Sequence, residues 1–303
     1  MKGKFTCPRK LKRLFNPPTR AKAPIEQLPL NVLHYIMDNI PPTEAAALSL
    51  TSKTMLSVAG PGILRIEESK DRAELLKHFE IHYPNHLLCY HCGKFFLRES
   101  SDTHDPEEET ECDKKNGEFS LSPHDPIIPF TTVQEMMNRH RYGRRYGSES
   151  VRSLNSYDVY YEEDKPFDYA SELTQARIVD GQLIIRKMIH FVSRRKGRDF
   201  KQSCQYCPHL TTSSFKVSEF DYSKTTFIRC LKCFTEIRWD RTRNFLYDLV
   251  GFCGRTRTTI WCNLGDCRSP FEANWQALTH STDKDNNPSI YISRNDARYI
   301  HLF

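Results

Sequence analysis

No stretch of the 303-residue sequence approaches the roughly 18 apolar residues that a bilayer-crossing helix needs. That lack sets a membrane role aside, and the chain is expected to be soluble. Also missing are a phosphate-binding glycine loop, a nucleophile elbow and a cysteine with an identifiable base beside it. The chain is therefore expected to be non-catalytic. Residues 1–22 contain no acid but hold eight Lys and Arg, from Lys2 to Lys22. They have no apolar run of the kind a secretory signal requires, and with Cys7-Pro8 and Pro17-Pro18 they read as a disordered basic tail over 1–23. Removing those eight cations from the 44 Lys and Arg leaves 36 against 38 Asp and Glu, so the net charge of +6 belongs to the tail. A zinc-supported nucleic-acid-binding protein, the alternative considered, would need the tail, 194–201 and 238–257 to converge on one face with aromatics. The near-neutral body supplies no surplus charge for that, so nucleic acid is not the expected partner.

What the sequence does contain begins with a compact helical pattern over 24–62. Pro29 suits the first turn of a helix, and Leu30, Leu33, Met37 and Ile40 then recur at steps of three, four and three, widened by Val32 and Ile36. Pro41-Pro42 ends that helix and Thr43 can cap the next, which runs through Glu44-Ala45-Ala46-Ala47-Leu48. Thr51 or Ser52 then caps a third helix, closed by Gly60-Pro61. A cluster this short is expected to complete its core against a partner or against the rest of its own chain.

Eleven cysteines without a secretory signal point to a reducing intracellular compartment, nucleus or cytoplasm, where paired thiols more often hold zinc than form disulfides. A helix over 72–82, opened by Asp71-x-x-Glu74, leads into Cys89-x-x-Cys92-Gly93, a metal knuckle and half a site, within a segment spanning 63–98. His78-Phe79-Glu80 ahead of that knuckle imitates a zinc-deaminase signature, but Leu88 stands where Pro is required and the spacing is too short. Residues 99–130 turn acidic and proline-rich and read as a disordered loop in which Cys112, His104 and His124 are free surface side chains.

An α+β body follows over 131–280. It opens with a helix over 131–146 bearing Val133, Met136, Met137 and His140, whose basic end answers the helix dipole. Asp180-Gly181 between two apolar runs predicts a tight hairpin. Cys204-x-x-Cys207 and Cys230-x-x-Cys233, with 22 residues between them, form the strongest chemical signal: the zinc-ribbon arrangement, with alternating strands flanking the second pair. Four thiolates leave no position for water, so a structural ion is expected. Cys89, Cys92 and His209 raise the candidate ligands to seven, and Cys253, Cys262 or Cys267 could supply an eighth. Which cysteines share an ion stays open, and the spacing after Cys233 does not follow the cross-braced pattern of a RING. Thr258-Thr259-Ile260-Trp261 reads as a strand, followed by a turn and a short helix at Trp275, with 281–303 as a C-terminal tail.

Leu28-Pro29, the apolar spacing after it, and Leu48-Ser49-Leu50-Thr51-Ser52-Lys53 resemble the F-box, the helical motif that binds the Skp adaptor of cullin ubiquitin ligases. Many F-boxes carry Trp two residues after that Lys; here the residue is Met55, which can fill an aromatic's space. The resemblance implies that Leu28, Pro29, Leu33, Met37, Leu48 and Leu50 form or support the adaptor-binding surface, their division between surface and core being left open. From Pro24 to about Trp275 the chain is similar to a family of fungal F-box proteins with cysteine-rich bodies. The fold this implies is an N-terminal three-helix F-box followed by a mixed strand and helix body with zinc-ribbon-like knuckles. The implied role is substrate receptor, with the Skp adaptor and through it a cullin as partners, and an unknown protein recruited by the body.

Overall fold

The computed structural model describes residues 23–98, 112, 115–120, 126–162, 165–193, 205–211, 225–242, 254–279 and 290–293. The basic tail, His104, His124, Cys204 and Cys253 lie outside the described residues. The chain divides into two units, Met1–Leu75 and Leu76–Phe303. Among the described residues no helix is long and apolar enough to cross a membrane.

In the first unit a 3-10 turn at Pro24–Gln27 precedes α1 (Leu30–Asn39), α2 (Pro42–Ser49) and α3 (Lys53–Ala59). Pro29 stands immediately before α1, and the double proline works from both sides: α1 stops at Asn39, while Pro41 occupies the cap of α2 with Pro42 in its first turn. Thr43, expected as that cap, lies inside the helix instead. Ser52 does cap α3, its hydroxyl accepting the Met55 N–H at 3.2 Å. Leu33, Met37, Ala45 and Met55 form the core, with Ile25, Ile40, Leu48, Val58, Ala59 and Ile63 packed around them. All ten fall between Ile25 and Ile63, so the helices supply one another's interior. Met55 is fully buried in that core. The helix expected over 72–82 is α4 (Ser69–Leu76), after which the backbone tightens into a 3-10 stretch at Lys77–His82.

The second unit is built on a seven-stranded antiparallel sheet. Its strands are β5 (Ser156–Glu162), β6 (Lys165–Val179), β7 (Gln182–Ser193), β10 (Thr226–Cys230), β11 (Thr235–Thr242), β12 (Gly254–Gly265) and β13 (Ile290–Ser293). They lie in the order β13-β10-β11-β12-β7-β6-β5. The β6–β7 hairpin turns at Asp180 and Gly181, with φ of 50° and 78°, as the dipeptide predicts. Around Leu183, Ile184 and Ile185 of β7 and Ile260 to Leu264 of β12, consecutive residues are buried, so both faces of the sheet centre are covered. β13 lies within 281–303, the segment read from the sequence as a tail, and it pairs with β10 from Ile290 to Ser293.

Among the described residues three two-stranded ladders accompany the sheet: β1 (His86–Cys89) with β2 (Lys94–Leu97), β3 (Glu118–Phe119) with β4 (Ile128–Pro129), and β8 (Gln205–Cys207) with β9 (Leu210–Thr211). The helices α5 (Phe130–Tyr142) and α6 (Ala273–Thr279) pack an aromatic cluster, in which Trp275 meets Phe130 at 5.1 Å between ring centroids and donates its indole N–H to Asn116 O at 3.0 Å. Phe119 and Asn116 are buried in that cluster, so the later part of the segment expected to be a loop is folded. Its charge and proline content masks one Phe and one Asn that find apolar and hydrogen-bonding partners far along the chain.

Candidate functional site

The six residues expected at the adaptor surface divide cleanly. Leu33 and Met37 are 2% and 8% exposed and belong to the core, and Leu48 packs against it. Leu28, Pro29 and Leu50 face solvent. Two further apolar side chains that periodicity placed on the inner stripe or passed over, Leu30 and Tyr35, are 61% and 69% exposed. Large apolar side chains left in water on so small a unit are the residues available to a protein partner.

In the body, two separate groups of sulfur and nitrogen ligands come together. The first is Cys89, Cys92 and Cys112; the second is Cys207, His209, Cys230 and Cys233, and within each group the ligand atoms all lie within 4.8 Å of one another. Sulfurs around a tetrahedral zinc stand about 3.8 Å apart, given bonds of about 2.3 Å. Both groups fit such an ion.

The second group follows from two turns. Cys230 ends β10 and Cys233 precedes β11, so the Cys-x-x-Cys turn sits at the tip of an antiparallel hairpin, while β8 and the turn before β9 bring Cys207 and His209. Cys207 and Cys233 donate to Cys230 and hold its thiol down at about 2, while Cys207, the donor, is raised. Amides of Lys232 and Cys233 add to that stabilisation. Negative charge thus gathers on sulfur inside the protein, where a divalent cation would replace the shared protons. His209 Nδ1 is buried and has no hydrogen-bond partner among the described residues, a second sign that this set suits a metal. Cys204, the fourth thiol expected here, is outside the described residues.

The first group is built on the β1–β2 turn. Gly93 at φ 61° closes it, the Cys92 N–H points to Cys89 Sγ at 3.3 Å, and Tyr90 between the two thiols is buried. Tyr90 packs edge-on against Phe130 at 5.8 Å and its hydroxyl donates to Arg268 O. Cys112 Sγ then stands 3.2 Å from Cys92 Sγ. Burial raises the thiols of Cys89 and Cys112. Cys112 was expected to be a free surface side chain; it is 6% exposed and joins the early knuckle as a third ligand, whereas Cys253, Cys262 or Cys267 had been considered as the eighth. The available signal was a third thiol shortly after an unpaired Cys-x-x-Cys. Cys262 instead approaches Thr235 Oγ1 at 3.4 Å, beside but outside the second group, and burial pushes its thiol up to about 12. Cys267 contacts Leu264 O and Gly265 O.

Of the basic stretches considered for nucleic acid, 238–257 is partly neutralised, since Arg238 and Arg257 both reach Asp240, at 2.9 and 3.7 Å; nearby, Arg229 pairs with Glu236 at 2.8 Å. No curated protein and no solved structure matches the chain. An F-box domain is found at residues 25–60, the segment whose helices enclose their own core while leaving Leu28 and Leu50 exposed.

Proposed function

We propose that the chain is a substrate receptor of a Skp–cullin–F-box ubiquitin ligase, recruiting a protein target through its second unit. The observation that carries this reading is the F-box match at 25–60 combined with a closed helical core that leaves Leu28, Leu30, Tyr35 and Leu50 in water. The F-box helices bind the Skp adaptor, and through it the cullin, while the second unit holds the target near the charged ubiquitin carrier. The chain contributes proximity and performs no bond chemistry. Structural zinc, held by Cys89, Cys92 and Cys112 and by Cys207, His209, Cys230 and Cys233, braces the receptor unit.

Co-purification with the Skp adaptor tests the assignment. Wild type is expected to associate, and Leu28→Asp with Leu50→Asp is expected to lose association while keeping its helical signal, because both side chains are already hydrated. Charges at Leu33 or Met37 would instead disrupt the core and could not separate binding from folding. A folded wild type that ignores the adaptor overturns the reading.

A further inference from the structure

β5 is the last strand of the seven-stranded sheet, with β6 on one side and no strand on the other among the described residues. The end of β6 that runs past β5 is flanked by the 3-10 turn Val151–Leu154 and by Asn155. Along β5 itself Ser156, Tyr157, Asp158 and Val159 are all exposed, Tyr157 at 66% and Val159 at 39%. Successive side chains of a strand point to opposite faces, so neither face of this stretch is covered.

Hydrogen-bond parity decides which backbone groups are left over. Asn155 Oδ1 accepts the Ala176 N–H at 2.8 Å, and the β6–β7 hairpin closes through Val179 and Gln182, so the even-numbered residues of β6 turn their amides towards β5. Their partners Ser156 and Asp158, opposite Thr174 and Glu172, spend their backbone groups inside the sheet. Tyr157 and Val159 therefore direct N–H and C=O to the outer side, where no described backbone group takes them up. An unpaired row of this kind is a template for another extended chain.

Charge says which chain. Asp158 stands directly opposite Glu172, and side chains paired in this way share a face. Glu172 has its cation, Lys187 Nζ at 2.7 Å. The exposed Asp158 carboxylate makes no ion pair among the described residues, so two acids adjoin one cation. Like charges facing across strands are unfavourable, and the other neighbour of Asp158 is the position that an added strand would fill. β5 holds Asp158 and Glu162 and no Lys or Arg, so a second copy laid on it would bring acids to acids.

We propose that the outer edge of β5 takes up an extended basic peptide as a further strand. Its backbone bonds to Tyr157 and Val159, a Lys or Arg stands opposite Asp158, and its apolar residues lie beside the Tyr157 and Val159 side chains. Assigning the peptide to a recruited target rests on the receptor reading above, while its capture needs no adaptor.

Fluorescence anisotropy on the full chain tests this, with a labelled peptide of about nine residues whose centre is Val-Lys-Val between Ser, Thr and Gly flanks. The comparison probes are the same peptide with Val-Glu-Val at its centre, and the Lys peptide with both Val amides N-methylated. The Lys peptide is expected to bind at least about threefold tighter than the Glu peptide, and N-methylation to weaken it about tenfold by removing two backbone donors. Asp158→Lys alters only an exposed side chain and is expected to reverse the charge preference. Val159→Pro removes the outward N–H without touching a ladder bond, and is expected to weaken the Lys peptide about fivefold with thermal unfolding little changed. Equal binding of the two charges, undiminished binding of the N-methylated peptide, or a Lys preference that survives Asp158→Lys each overturns the proposal. So does a dimer in sedimentation that Val159→Pro dissociates, which would give the edge to a second copy. Peptide capture without adaptor association would sink only the receptor reading, and the reverse result only this site.

Discussion

Between Ile25 and Ile63 the enclosed side chains are aliphatic or Met, apart from Ser49, whose hydroxyl donates to Ala46 O at 2.7 Å. The second unit instead buries seven of its eight described cysteines, together with Lys187, Glu80 and Glu236. The first kind of interior is stabilised by removing carbon from water and needs nothing else. The second carries groups whose burial is unfavourable unless they are paired: Lys187 meets Glu172 at 2.7 Å, Glu80 accepts from Gln134 at 2.8 Å, and six of the thiols, with His209, fall into two groups of a geometry that suits a metal ion. If the proposed zinc is bound, the difference separates a unit that needs only its own side chains from one whose folding is linked to metal.

Metal removal should produce the largest effect. A strong chelator at neutral pH is expected to abolish cooperative unfolding of the sheet-bearing unit while the helical unit keeps its transition. The same proportion appears in metal content: wild type should hold about two zinc ions per chain, Cys112→Ser about one, and Cys262→Ser as many as wild type. A second unit indifferent to chelation would erase the contrast. Next in size, Met55→Ala is expected to destabilise the helical unit by about 2–5 kcal/mol in denaturant titration, with zinc content unchanged, because the side chain is fully buried among aliphatic neighbours. Smallest, Ser52→Ala should cost about 1 kcal/mol through the lost cap on the Met55 amide, again only in the first transition.

Sequence patterns predicted what depends on neighbours in the chain. Pro41-Pro42, the Ser52 cap, the Asp180-Gly181 turn and the Cys230-x-x-Cys233 hairpin are local devices, and the structure has each of them. The three-helix count and the α+β class followed. Periodicity found the apolar stripe of α1 but not which of its members meet water, since Leu30 and Leu33 recur at the same helical spacing and differ only in what lies opposite. Cys112 was hidden because its neighbours are acids and its partners lie 20 residues and more away. β5 went unread although Tyr157 and Val159 alternate: both point outward, so the alternation signals no core.

Cys112 Sγ standing 3.2 Å from Cys92 Sγ also ties the two ends of the intervening chain to one point. Closing a loop costs only about 0.6 kcal/mol more for each doubling of its length, so an insertion after β2 and before Cys112 is expected to leave the Cys89–Cys92 turn nearly as stable as before.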